Sequence, residues 1–138
     1  MRTKVTAAIK SAFCTAFPKA SFRNDFTVYA SKSLTLPCVW LSPIEMIDRT
    51  GRKEGKKTYR AEIVVFGRAE NMQEQTKAAL WESFERAAMS AIDQLYTCGD
   101  VEIVNVGNIK SAPEEYAMSG YQAVSLKVST DITILYCE

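Results

Sequence analysis

The residue types that perform most enzyme chemistry are thinly supplied in this sequence. Histidine is absent. Its absence removes Ser–His and Cys–His nucleophile pairs, histidine general bases and mixed Cys/His zinc sites. Four cysteines, Cys14, Cys38, Cys98 and Cys137, lie far apart and form no CxxC. Each falls in or beside an expected element, so they read as small buried thiols rather than as a disulfide framework or a metal cluster. Two carboxylate pairs, Glu82/Glu85 and Glu114/Glu115, have the proximity that acid–base chemistry could use. The first is more simply the solvated face of a helix, and the second sits in an expected polar loop.

One stretch has the outline of a phosphate site. "TYRAEIVVFGRAENMQEQTKAALWESF", residues 58–84, runs from a strand-like segment through Gly67 into a helix. A phosphate-binding loop needs several glycines to bring backbone N–H groups onto the phosphates, usually with a lysine and a Ser or Thr. Here a single glycine is followed by two glutamates that would repel an anion at the helix start. Gly67 therefore reads as a turn. The expectation is a chain with no catalytic residues, cofactor or metal, and not an enzyme.

Two further features stand out by charge and size. Residues 48–58 carry Arg49, Arg52, Lys53, Lys56 and Lys57 against two acidic residues, in a chain whose net charge is only +1. The segment reads as a solvated hairpin tip, with non-specific phosphate contact as its functional alternative. Tyr59 is the only ring nearby, so it is not an aromatic-interleaved single-strand binder. Trp81 flanks a Leu80/Phe84 stripe with Lys77 one turn before it. It reads equally as an aromatic at the edge of the core and as an anchor in a subunit contact.

These residues need elements to hold them. At 138 residues, 47% hydrophobic and 24% charged, the chain is sized and composed as one domain spanning 1–138. It contains no run of the ~18 apolar residues that would span a bilayer, and its start lacks the unbroken apolar centre of a signal peptide. A cytoplasmic protein with no membrane partner is expected. Val5, Ala8, Ile9, Ala12, Phe13, Ala16 and Phe17 fall on one helical face, and Pro18 stops that helix. "LTLPCVWLSPIEMI" is apolar on both alternating faces, as in a strand covered on two sides or lying at a subunit contact. Pro37 and Pro43 suggest that it is an edge or bulged strand.

"YRAEIVVFG" returns as a strand, and Asn71 and Glu74 stand at capping-box spacing before a long helix expected over 71–97. A short strand over 101–109 and a polar link precede the most regular pattern in the chain. From Val124 through Leu126, Val128, Thr130, Ile132 and Ile134 to Tyr136, every second residue suits one buried face. Its length exceeds what one small domain needs, so an exposed edge and an interface role for Ile132 and Ile134 are expected. The sum is an α+β fold: a mostly antiparallel sheet packed against a long central helix and an amphipathic N-terminal helix.

With this order in view, the chain resembles the tail terminator or tail completion proteins of tailed bacteriophages, including prophage-encoded ones. The resemblance rests on the amphipathic first helix, the proline-flanked "LTLPCVWLSP", and the polar hairpin leading into "KTYRAEIVVFGRAENMQEQTKAALWESF". It ends with the terminal strand "YQAVSLKVSTDITILYCE". It covers most of the chain without a sharp residue motif, and no family functional residue transfers by motif. The resemblance implies a homo-oligomer, a hexameric ring that caps the tail tube and meets the head connector. It further implies assembly in the bacterial host cytoplasm and residence in the virion. On that reading the basic residues 49–57 face a DNA channel or an acidic partner. Other readings remain beside it: a neighbouring head–tail joining protein, a small ligand-binding domain or enzyme with an apolar pocket between helix and sheet, or a nucleic-acid accessory protein.

Overall fold

The computed structural model describes residues 1–24, 37–68, 73–97, 99–118 and 121–137, apart from the side chains of 116–118, 121 and 122. The elements are α1 (Arg2–Ala16), β1 (Ser21–Arg23), β2 (Cys38–Leu41), β3 (Glu45–Gly51), β4 (Glu54–Arg68), α2 (Glu74–Gln94), β5 (Ile103–Met118) and β6 (Tyr121–Cys137). A single 3-10 turn, Leu95–Thr97, extends α2. The sheet runs β1-β2-β4-β6-β5, with β3 also paired to β4. The β1–β2 pair is parallel, and every other pair is antiparallel. This is the expected α+β class.

Period-2 patterning explains which face the helices cover. Tyr59, Ala61, Ile63 and Val65 of β4, with Leu126, Val128, Ile132 and Ile134 of β6, are buried on one face. They share a core with Val5, Ile9 and Phe13 of α1 and with Ala88, Ala91 and Ile92 of α2. The small residues Ala8, Ala88 and Ala91 are all buried in this core. Near β2 the opposite face is buried too: Cys38, Trp40, Val64 and Phe66 have 4% exposure or less. The two-sided apolar pattern of "CVWL" thus corresponds to a strand buried on both sides.

Several expectations need correction. The terminal strand β6 has no free edge, because β4 pairs with it over residues 123–137 and β5 over most of 121–134. Its length is matched by neighbours longer than their composition suggested. The segment "SAPEEYAM", read as a loop, continues β5 as a strand because it pairs with β6 from Ser111 to Met118. Strand β2 is interior, lying between β1 and β4. Pro37 and Pro43 sit just outside its four residues, so no ladder donor is lost.

Gly67 is no turn. It pairs with Val124 within β4, and a Cβ there would lie 2.7 Å from Cζ of Phe84 and 3.2 Å from its Cε2. Glycine is needed because α2 packs its aromatic ring directly onto the strand backbone. The helix begins at Glu74 after an extended Gln73 that makes no side-chain cap. Asn71 and the possible strand at 26–29 lie outside the described residues.

Candidate functional site

The basic segment is built as a hairpin that projects from the sheet. All seven residues of β3 are exposed. Its ladder with β4 runs from Glu45↔Arg60 to Gly51↔Gly55, leaving Arg52, Lys53 and Glu54 at the tip. Gly51 takes φ +86°, a left-handed turn conformation that favours glycine. The hairpin is tied down by Tyr136 of β6, which is 4% exposed. Arg49 Nε donates to the Tyr136 hydroxyl at 3.0 Å, and that hydroxyl lies 3.1 Å from both the Thr50 and Gly51 carbonyl oxygens. The Lys57 ammonium stands 4.4 Å from the ring centroid, a cation–π contact. Of the five basic residues singled out, Arg49 and Lys57 therefore grip Tyr136. Arg52, Lys53 and Lys56 are exposed.

Beside the hairpin, the outer face of the sheet carries paired charges. Arg60 and Asp131 are cross-strand partners, with Nε–Oδ1 at 3.0 Å. Asn108 donates through Nδ2 to Asp131 Oδ2 at 2.8 Å. The Arg60 hydrogen bond, helped by Asn108 and by the charges of Arg60 and Lys110, holds the Asp131 carboxyl below its ordinary pKa against the opposing effect of burial. Lys127 meets Glu62 at 3.4 Å. An open cleft of about 420 Å³ lies over these residues and Lys110. With two of its three cations paired to its two carboxylates, it resembles a solvated polar face more than a ligand cage.

The carboxylate pairs do not form acid–base dyads. Glu114 and Glu115 are consecutive on β5, so their side chains take opposite faces. Glu115 meets Lys77 of α2 at 3.0 Å. Glu82 and Glu85 are exposed on α2, with Glu82 3.7 Å from Arg86. Among the described cysteines only Cys38 is buried, Cys14 is intermediate and Cys137 exposed, and all three are free thiols. Cys98 lies outside the described residues.

The hypothesised interface residues are used within the chain. Ile132 and Ile134 are fully buried in the helix-side core. Trp81 is half-buried against that core, and its Nε1 donates to the Ser125 carbonyl at 3.0 Å. The indole thus bridges α2 to β6.

Among the described residues, what remains exposed and apolar lies mainly on or beside the edge strands β3 and β5, and sequence periodicity gave no sign of it. The described ladders contain three register irregularities, at Met46/Asp48, Ile103/Asn105 and Gly107/Lys110. The skipped residues include Ile47, Val104 and Ile109, which are 37%, 39% and 42% exposed. Each bulge turns a branched apolar side chain out of the alternating pattern. In the third, Asn108 takes φ +50° and aims its amide at Asp131. Exposed Met46 adjoins Ile47, and exposed Tyr96 adjoins the edge of β5, its hydroxyl accepting from Val106 N–H at 2.9 Å.

No family model matches the chain, and no curated protein matches it. A chain of the solved virion of a native gene transfer agent particle is similar to it at 10% identity and a TM-score of 0.48, over 96% of this chain and 94% of that one. Among the described residues no helix is long and apolar enough to cross a membrane, and no cluster of three or more Cys, Asp or Glu could hold a metal ion.

Proposed function

We propose that this protein is a virion assembly component of the tail terminator or tail completion type, a non-enzymatic subunit of a closed ring. The observation that carries the reading is two of the sheet's edge strands, β3 and β5. β3 and β5 each present apolar side chains to solvent at a bulge, on opposite sides of one sheet. Exposed edges invite pairing, and a head-to-tail contact that closes into a ring uses each edge once per subunit. The ring size of six, and the tail tube and head connector as partners, come from the sequence resemblance. In such a ring the exposed Arg52, Lys53 and Lys56 would face a DNA channel or an acidic surface.

The filled helix–sheet core argues against an apolar ligand pocket there, since Phe13, Ile63, Leu95, Leu126 and Ile132 are all below 2% exposed. The test is the native mass by multi-angle light scattering, together with electron microscopy of the protein added to purified tail tubes. A species of about six subunits, or a cap on tube ends, is expected. A monomer at every concentration with bare tube ends would overturn the reading.

A further inference from the structure

We infer that the basic β3–β4 hairpin of one copy docks on the acidic margin of β5 in the next. This rests on the ring reading and names the contact that would close it. Three observations carry it. The first is position. The sheet rows align Met46 with Tyr59, Ile132 and Val106 in turn. The exposed apolar residues Met46 and Ile47 on one edge therefore stand level with Val104 and Tyr96 at the other. The second is strand sense. β3, β4, β6 and β5 alternate in direction, so β3 of one copy laid beside β5 of another is antiparallel, the better-paired arrangement.

The third is charge. From residue 45 to residue 60 there are six basic residues and three acidic ones. From residue 87 to residue 109 there are Asp93, Asp100 and Glu102 and no lysine or arginine. All three acids are exposed, as are Arg52, Lys53 and Lys56. None of these six forms an ion pair among the described residues. Opposite potentials at the two ends of one sheet favour end-to-end contact and disfavour like ends meeting. Single exposed apolar residues and edge bulges are ordinary features of soluble sheets. Their placement at level positions, beside a basic hairpin tip on one side and three exposed acids leading into β5 on the other, is what those features do not explain. Because the Tyr96 hydroxyl occupies Val106 N–H, the contact is made by side chains around Val104 and Tyr96 rather than by an uninterrupted ladder.

Charge exchange tests this contact. One variant carries Arg52→Glu, Lys53→Glu and Lys56→Glu; the other carries Asp93→Lys, Asp100→Lys and Glu102→Lys. All six sites are exposed, so unchanged circular dichroism and melting temperature are expected. Each variant alone should associate at least ~10-fold more weakly than the wild type in low salt, because like charges meet at every contact. Mixed in equal amounts they should re-form the wild-type assembly, with the two variants alternating around an even-numbered ring. Val104→Arg should block association with either charge set. If wild type and both variants assemble alike, the contact is wrong and the ring reading stands. If mixing rescues nothing, the pairing of these two edges is likewise refuted. If wild-type protein associates neither alone nor on tail tubes, the ring reading falls and takes this contact with it.

Discussion

At the scale of single residues, Asp131 is the group whose ionisation the fold depends on most visibly. It is 8% exposed and accepts from Arg60 and Asn108. Its pKa is lowered in the folded state, so the carboxylate contributes stability in full above its unfolded value of about 3.9. That contribution is lost as pH falls through the lower folded value. Denaturant titrations between neutral pH and about pH 3 should show the wild type losing stability in acid, and Asp131→Asn should flatten that dependence. An identical acid slope in the variant would assign it to other carboxylates. Trp81 belongs to the same scale. Its indole both packs on the core and donates to Ser125 O, so Trp81→Ala should lower folding stability by about 2–4 kcal/mol. Chemical denaturation at a concentration where the protein is monomeric measures this directly.

At the scale of elements, two contacts set where neighbours can sit. Phe84 lies against the backbone at Gly67 and edge-on to Phe17, with ring centroids 6.0 Å apart. Gly67→Val should push Phe84 off the strand and loosen α2 from α1, costing about 1–3 kcal/mol by overpacking. Gly67→Ala should cost less, because only one carbon meets a ring that can swing. The second contact is the Tyr136 hydroxyl under the hairpin. Tyr136→Phe keeps the ring beneath Lys57 but removes the acceptor for Arg49 and the donor to the turn carbonyls. A loss of about 0.5–1.5 kcal/mol is expected. Amide exchange should accelerate over residues 48–56 and remain unchanged in the core strands.

At the scale of the whole molecule, the helices cover one face of the sheet and leave β3 and β5 among its outermost strands. Ile132→Lys would place a charge in a fully buried site and should abolish folding and association together. That result separates the core strand from the edges, where charge changes should alter association alone. Replacing Arg52, Lys53 and Lys56 with Ser should leave the melting temperature unchanged, because exposed charges contribute little to stability. On the proposed function it should lower the yield of infectious particles. An unchanged yield would assign the tip to solvation.

The sequence by itself determined the α+β class, the first helix and the buried face of β6, because each follows from a local period that a reader can count. Val5 to Phe13 repeat at 3.6 residues, and Val124 to Tyr136 repeat at two, and burial follows both patterns. Missing histidine and dispersed cysteines likewise limit catalytic chemistry without reference to any coordinate. Only the tertiary structure decided what lies beside what. Gly67 looks like a turn until Phe84 is found against it, and "SAPEEYAM" looks like a loop until β6 supplies its ladder. Ile132 and Ile134 look available to a partner until β4, β5 and both helices surround them. The edges were hidden for the same reason. A bulge is a mismatch between two strands, so the outward turn of Ile47, Val104 and Ile109 exists only once each strand's partner and register are fixed.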